Sequence, residues 1–466
     1  GRDFMELWQT WYLIAASLRG AFPRQRTYLW FLTAMAGFCV RGDLLGVTSF
    51  IRGLGLHEKC YDRLLDMFHC SGLDFKVLRK FWVKAVLKFA VGLLWQVNGR
   101  LVVVGDGVKN PKSGKKMPGV KKLHQESESN TKPEYIFGHS LQAISLLLRF
   151  GGQFFAIPLG IEIHEGVVFS NRCQKTLLDR LLEMLDSLGL SKPVYLVLDA
   201  YYGSRKMVLG LLVRNNHLIT RMKSNAVAYR RPAVSRNRRG RPRIYGEKVH
   251  LTELFAVKDG WHPAVMELYG KMEKLEYLPL RLLWKPTGTE MLFVLVRMAD
   301  GRKCILMCSD LGLDPLLVIQ IYAARFKIEV GFKVAIRVIG SLGYHFWMAS
   351  MKPISRKGKD QFLHRETETY RNAVRRKLKA YHNFMQIGVI AQGVMVLLAL
   401  TKSQLVWQYF PSWMRTMNQN GVPSEWVVAQ SLTDTLPGFL RGTQENNIWA
   451  KFIRQNTDTK RGKCAA

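Results

Sequence analysis

Two aspartates follow short apolar runs: Asp106 after RLVVVG at 100–105 and Asp199 after VYLVL at 194–198. Runs rich in β-branched residues predict buried strands, and in an α/β sheet the groups just past strand ends are where sites assemble. Neither acid has a cation beside it in the sequence. If the two strands are neighbours, the carboxylates converge, and like charges so placed need a metal or a shared proton. Hard oxygen donors without a His or Cys cluster suit Mg²⁺ or Mn²⁺. Two such ions about 4 Å apart can activate a water or hydroxyl and stabilise the leaving oxygen of a phosphoryl transfer. A third acid, Glu329, lies in Tyr322-Ala-Ala-Arg325-Phe-Lys-Ile-Glu329-Val-Gly-Phe-Lys333. Helical spacing puts Tyr322, Arg325, Glu329 and Lys333 on one face. By residue type alone, each aspartate could equally be a turn former and the helix face a solvated row of ion pairs.

VVVGDG with the Lys-rich stretch behind it, VLDAYYGS, and Tyr322-x2-Arg325-x3-Glu329 together resemble the three catalytic segments of DDE insertion-sequence transposases. The likeness runs in order over about residues 98 to 340 and is strongest to the subgroup with a Tyr-x2-Arg-x3-Glu-x6-Lys signature. It implies an RNase H-like mixed-sheet core with a β-rich insertion. It also implies that Asp106, Asp199 and Glu329 are catalytic ligands to two Mg²⁺ or Mn²⁺ ions. Tyr322 and Arg325 become contacts to the transposon end, and a homodimer in a synaptic complex is expected. One position departs: the signature's Lys falls on Ile336, with Lys333 and Arg337 flanking it as replacements.

Charge points the same way. Lys and Arg total 69 against 35 Asp and Glu, a net +34, with a pI near 10.1. An excess spread along the whole chain favours a nucleic-acid partner over a membrane surface. The stretch after Asp106 reads as a loop to about Lys132, with Lys109, Lys112, Lys115, Lys116, Lys121, Lys122 and Lys132 placed to neutralise phosphates,. Between Lys223 and Lys248 nine Lys or Arg stand against Glu247 alone, and Arg239-Gly240-Arg241-Pro242-Arg243 resembles a minor-groove hook,. Such a short motif is as often a basic turn.

Periodicity divides the chain into an α/β core flanked by helical ends. Residues 1–97 read as helical, either a DNA-reading domain around Gly53 and Gly55 or a plain bundle. Residues 98–222 form the first part of the core, 223–302 a basic β-rich insertion, and 303–345 the second part, with one long helix from Pro315 to Ile339. Residues 346–466 read as a helical region for DNA binding or dimerisation. The apolar run from Ile387 to Leu400 is too short to span a bilayer and reads as a buried helix. Seven cysteines fit a reducing compartment,. No secretory signal is expected from Leu7–Leu18, and a start at Gly1 suggests a trimmed chain. The expected location is cytoplasmic, on DNA. His57, Cys60, His69 and Cys70 do not have structural-zinc spacing. Glu162, His164 and Glu165 end a strand and could assist catalysis or merely turn, and His139 reads as a satisfied strand histidine. A transposase-derived DNA-binding protein and an RNase H-like nuclease are the alternative functions.

Overall fold

The computed structural model describes residues 3–125, 131–234, 240–411, 416–442 and 446–460; Arg239, Trp413 and Cys464 lie outside them. Five helices open the chain: α1 (Phe4–Ala16), α2 (Gln25–Val40), α3 (Thr48–Gly53), α4 (Cys60–His69) and α5 (Phe75–Phe89). Asp74 starts α5 by accepting from the backbone N–H groups of Lys76 and Val77,. Helix α2 is buried without a break from Trp30 to Val40, the pattern of a core helix and not of one presented to a groove.

Strands β1 (Gln96–Val97), β2 (Arg100–Pro111), β3 (Lys121–His124), β4 (Tyr135–Phe150) and β5 (Gln153–Ile163) follow, then the short β6 (Val167–Val168). Next come α6 (Leu177–Ser187), β7 (Val194–Leu198), α7 (Arg205–Leu212) and β8 (His217–Arg221). β5, β4 and β2 pair antiparallel, while β2, β7 and β8 pair parallel. Parallel neighbours need crossovers, and α6 and α7 supply them. The central strands are apolar on both faces because both are covered. Leu101, Val103, Leu196 and Leu198 pack into one core, and Val102, Val104, Tyr195 and Val197 into another with Val318 and Ile321.

The β-rich stretch extends this sheet. β9 (Val227–Tyr229), β10 (Lys248–His250), β11 (His262–Leu268), β12 (Lys271–Trp284), β13 (Thr289–Met298) and β14 (Lys303–Cys308) join it through β14, which pairs antiparallel with β8. The result is a mixed sheet of 13 strands.

The expected single helix from Pro315 to Ile339 is instead α8 (Pro315–Ala324), α9 (Phe326–Val334) and a π turn over Ala335–Ile339. The break falls at Arg325, whose N–H bonds the carbonyl of Tyr322 three residues back at 3.1 Å. It lets α8 pack on β8, β13 and β14 while α9 swings across to β2 and β5. Gly340, at φ +69, ends the π turn, and Arg41 from the opening helices grips the carbonyl of Ile339. Residues 340–366 are irregular, with only β15 (Gln361–Phe362) pairing β6.

Helix α10 (Glu368–Thr401) follows, then α11 (Ser403–Gln408), α12 (Glu425–Gly442) and α13 (Ile448–Asn456). α10 is longer than its apolar run suggested. It is long and apolar enough to cross a membrane, yet 94% of its most apolar window is buried inside the protein, as a core helix would be. Helices from both ends of the chain pack together, α1 on α12 and α2 on α10, and α10 lies across β5.

Arg79 fastens that helical layer to the sheet. It is fully buried and binds Gln386 of α10 at 3.0 Å, Glu162 of β5 at 3.2 Å and Ser187 of α6 at 3.3 Å. Gly160 is needed beneath it, since a Cβ there would lie 2.4 Å from Arg79 Nε. Removing one member of a buried ion pair strands the other. Arg79→Ala should therefore lower the unfolding free energy by about 3–5 kcal/mol, read from urea denaturation.

Candidate active site

Strand pairing brings the two aspartates together. In the parallel pair, Val104 of β2 lies opposite Val197 of β7; two residues further on, Asp106 comes level with Asp199. Gly105 permits this approach, because a Cβ would meet Leu198 Cδ2 at 2.8 Å. Asp106 does not end its strand, contrary to expectation. β2 runs on to Pro111 because β4 keeps pairing with it, Asp106 opposite Ala143 and Pro111 opposite Gly138. It is the shorter β7 that ends here and opens the edge of β2 at Asp106. Asp199 does stand at a strand end, where its Oδ1 accepts from Tyr201 N–H at 3.1 Å and its carbonyl accepts from Thr220 Oγ1 at 2.8 Å.

Glu329 reaches the same place through Arg325. The guanidinium donates to Asp106 Oδ2 at 3.1 Å and to Glu329 Oε1 at 3.1 Å, so one cation bridges two acids from separate elements. Arg325 and Asp106 are mostly buried and Glu329 is exposed. Tyr322, one turn back, has its ring 5.7 Å from the guanidinium carbon. Behind the acids, Gln142 donates to the Tyr202 hydroxyl at 3.0 Å. Gln142 was not anticipated; its one signal was a buried polar residue in an apolar strand.

The electrostatics record the crowding. Asp106 is pushed up to about 6 by burial, which together with the charges of Asp199 and Glu329 outweighs the opposing pull of Arg325 and the Gly107 N–H. Burial alone would lower Arg325, but Tyr322 and the three acids hold it above its usual value. Among the described residues, no three His, Cys, Asp or Glu side chains are grouped tightly enough to hold a metal ion as they stand. The reason is visible: Arg325 lies between Asp106 and Glu329, and Asp199 is turned to its cap. The donor chemistry nonetheless fits a hard divalent cation, because three carboxylates share one locus and already enclose a positive charge.

A carboxyl group raised on folding is most stabilising when protonated. That contribution is complete below its ordinary 3.8 and is lost as pH rises through about 6, a span worth at most about 3 kcal/mol. Metal-free wild type should lose stability across this window in denaturant titrations. Asp106→Asn should flatten that loss.

The expected DNA contacts are unequal. Lys333 and Arg337 are exposed beyond Glu329, as are Lys115, Lys122, Arg241 and Arg243. Lys122 sits 3.7 Å from the centre of the Tyr135 ring, Lys109 bonds the carbonyl of His124, and Lys116 that of Ala349 at 3.2 Å. Lys121 is neutralised internally by Glu165 at 3.0 Å and Asp360 at 2.8 Å. Lys112 is buried and donates to the carbonyls of Leu342 and Tyr344, both at 2.7 Å. The Lys-rich stretch is therefore no open loop: β2 and β3 occupy part of it, and two of its cations hold structure. Glu162 pairs with Arg79 and His164 with Ser140 at 3.0 Å, and His139 bonds both the Tyr344 hydroxyl and the Pro118 carbonyl. His69 bonds the Leu65 carbonyl and Lys377.

Comparison with known proteins bears on this geometry. The family model described as DDE superfamily endonuclease matches residues 17–267, which include Asp106 and Asp199 and stop short of the helix carrying Glu329. Among curated proteins nothing matches the chain. Of solved structures, it is similar to a piggyBac transposase synaptic complex with hairpin DNA, solved by cryo-EM. That likeness has 11% identity and a TM-score of 0.38, over 94% of this chain and 76% of that one. With more than half its length matched, the chain belongs to the DDE superfamily endonucleases.

Proposed function

We propose that this endonuclease is a DNA transposase. It would bind the ends of a mobile element, cleave a phosphodiester there and join the 3′-OH to target DNA. The observation that carries the reading is the convergence of Asp106, Asp199 and Glu329 on one locus bridged by Arg325, in a chain of net charge +34. The strand order, with three antiparallel strands feeding two parallel ones through helices, supports an RNase H-like core. Two Mg²⁺ or Mn²⁺ ions held by Asp106, Asp199 and Glu329 would supply nucleophile activation and charge stabilisation for in-line transfer.

The chain's own groups do the positioning. Tyr322 and Arg325 share the helical face of Glu329 and would hold a phosphate beside the acids, Arg325 by its planar fork of donors. Lys109, Lys115, Lys116 and Lys122 would follow the backbone of the strand being cut, and Lys333 and Arg337 would extend the track past Glu329. Arg241 and Arg243, with Arg239 before them, would enter a minor groove. Synapsis of two ends would bring two copies of the chain together.

Labelled terminal DNA with Mg²⁺ tests this. Wild type should nick the end and join it to a target plasmid. Asp106→Asn, Asp199→Asn and Glu329→Gln should each reduce cleavage on the order of 10³-fold or more, with end binding changed less than about threefold. Cleavage without joining would favour a nuclease, and full cutting by any of the three variants would remove that residue from the machinery.

A further inference from the structure

Trp347 is the one exposed tryptophan among the described residues, with 66% of its surface open. It stands in the irregular segment between the Glu329 helix and α10, yet the backbone there is firmly fixed. Met348 N–H donates to the Lys116 carbonyl at 2.9 Å, Ile354 N–H to that of Lys115 at 2.8 Å, and Lys122 N–H to that of Gly358 at 2.9 Å. Below, the buried Lys112 ties the start of the segment to the turn leaving β2. The indole lies against Gly114, where a Cβ would come 3.0 Å from Trp347 Nε1.

The surroundings are cationic. Lys115, Lys352, Arg356, Lys357 and Lys359 are all exposed. No Asp or Glu occurs between Ser341 and Lys359, and the next acid, Asp360, is paired to Lys121. A run of uncompensated cations attracts a polyanion and repels an ordinary apolar partner. A flat aromatic ring set among such cations is how single-stranded nucleic acid is held, bases stacking on the ring and phosphates following the charges. The interior of a duplex presents no open base face to such a ring. The strap also continues from the catalytic strand: Gly114 is eight residues past Asp106 in the sequence, at most about 29 Å of chain.

We propose that the strap around Trp347 binds an unpaired stretch of DNA, one base stacked on the indole, next to the strand that carries Asp106. This rests on the DNA-processing reading, but its test needs no cleavage. Full-length protein without divalent metal would be titrated into labelled duplexes, one blunt and one with a short oligothymidine extension. The extension should tighten binding. Trp347→Ala should weaken the tailed complex about tenfold and leave the blunt one within about twofold, while Trp347→Phe keeps most of the gain. Lys352→Glu combined with Lys357→Glu should shallow the salt dependence on tailed DNA. The proposal is overturned if the extension adds nothing, if Trp347→Ala weakens both complexes equally or neither, or if its only effect is on self-association in sedimentation. A protein that prefers tails but never cuts would count against the transposase and leave the strap standing. One that cuts but binds both duplexes alike would sink the strap alone.

Discussion

Three carboxylates cannot share one site without a cation. Like charges about 4 Å apart cost roughly 4 kcal/mol at an effective dielectric near 20, and burial of Asp106 adds to that. In this fold Arg325 answers the demand by bridging Asp106 and Glu329. Much of the architecture can be understood as support for that arrangement. The register of β2 with β7 levels Asp106 and Asp199. The break between α8 and α9 falls on Arg325 itself, and such mid-helix irregularities often mark functional positions. Arg41 clamps the far end of the same helix, and Gln392 of α10 binds the carbonyl of Gly331 at 3.0 Å. The helical layer thus fixes where the third acid stands.

The acids were legible because strand and helix patterns are local. RLVVVG and VYLVL announce strands buried on both faces, and the Tyr322–Lys333 spacing announces a face. What escaped the sequence was non-local. Asp106 lies in mid-strand because β4 outlasts β7 as a partner, and nothing near residue 106 reports how long β7 is. The break at Arg325 answers to a sheet that α8 and α9 must follow on different strands. The buried Gln142 has meaning only once Tyr202 is seen beside it.

Cations were harder to read than acids. A sequence counts Lys and Arg but does not say which are already paired. Lys121 lies between Glu165 and Asp360, one drawn from the end of β5 and the other from a segment more than 200 residues on. Lys112 lies under Tyr344 and two carbonyls, where burial pushes it down to about 7. Lys115, in the same stretch, stays exposed and gathers with the cations of a segment that follows the Glu329 helix. The charge that remains outside is therefore concentrated beside the acids and along the strap, where a DNA strand could follow it.

The most direct test of the acid cluster is anomalous diffraction from crystals of the wild-type protein grown with Mn²⁺. The account predicts manganese bound by Asp106, Asp199 and Glu329 together, with Arg325 no longer bonded to Asp106. Manganese bound elsewhere, or an intact Arg325 bridge with no manganese at these acids, would contradict it.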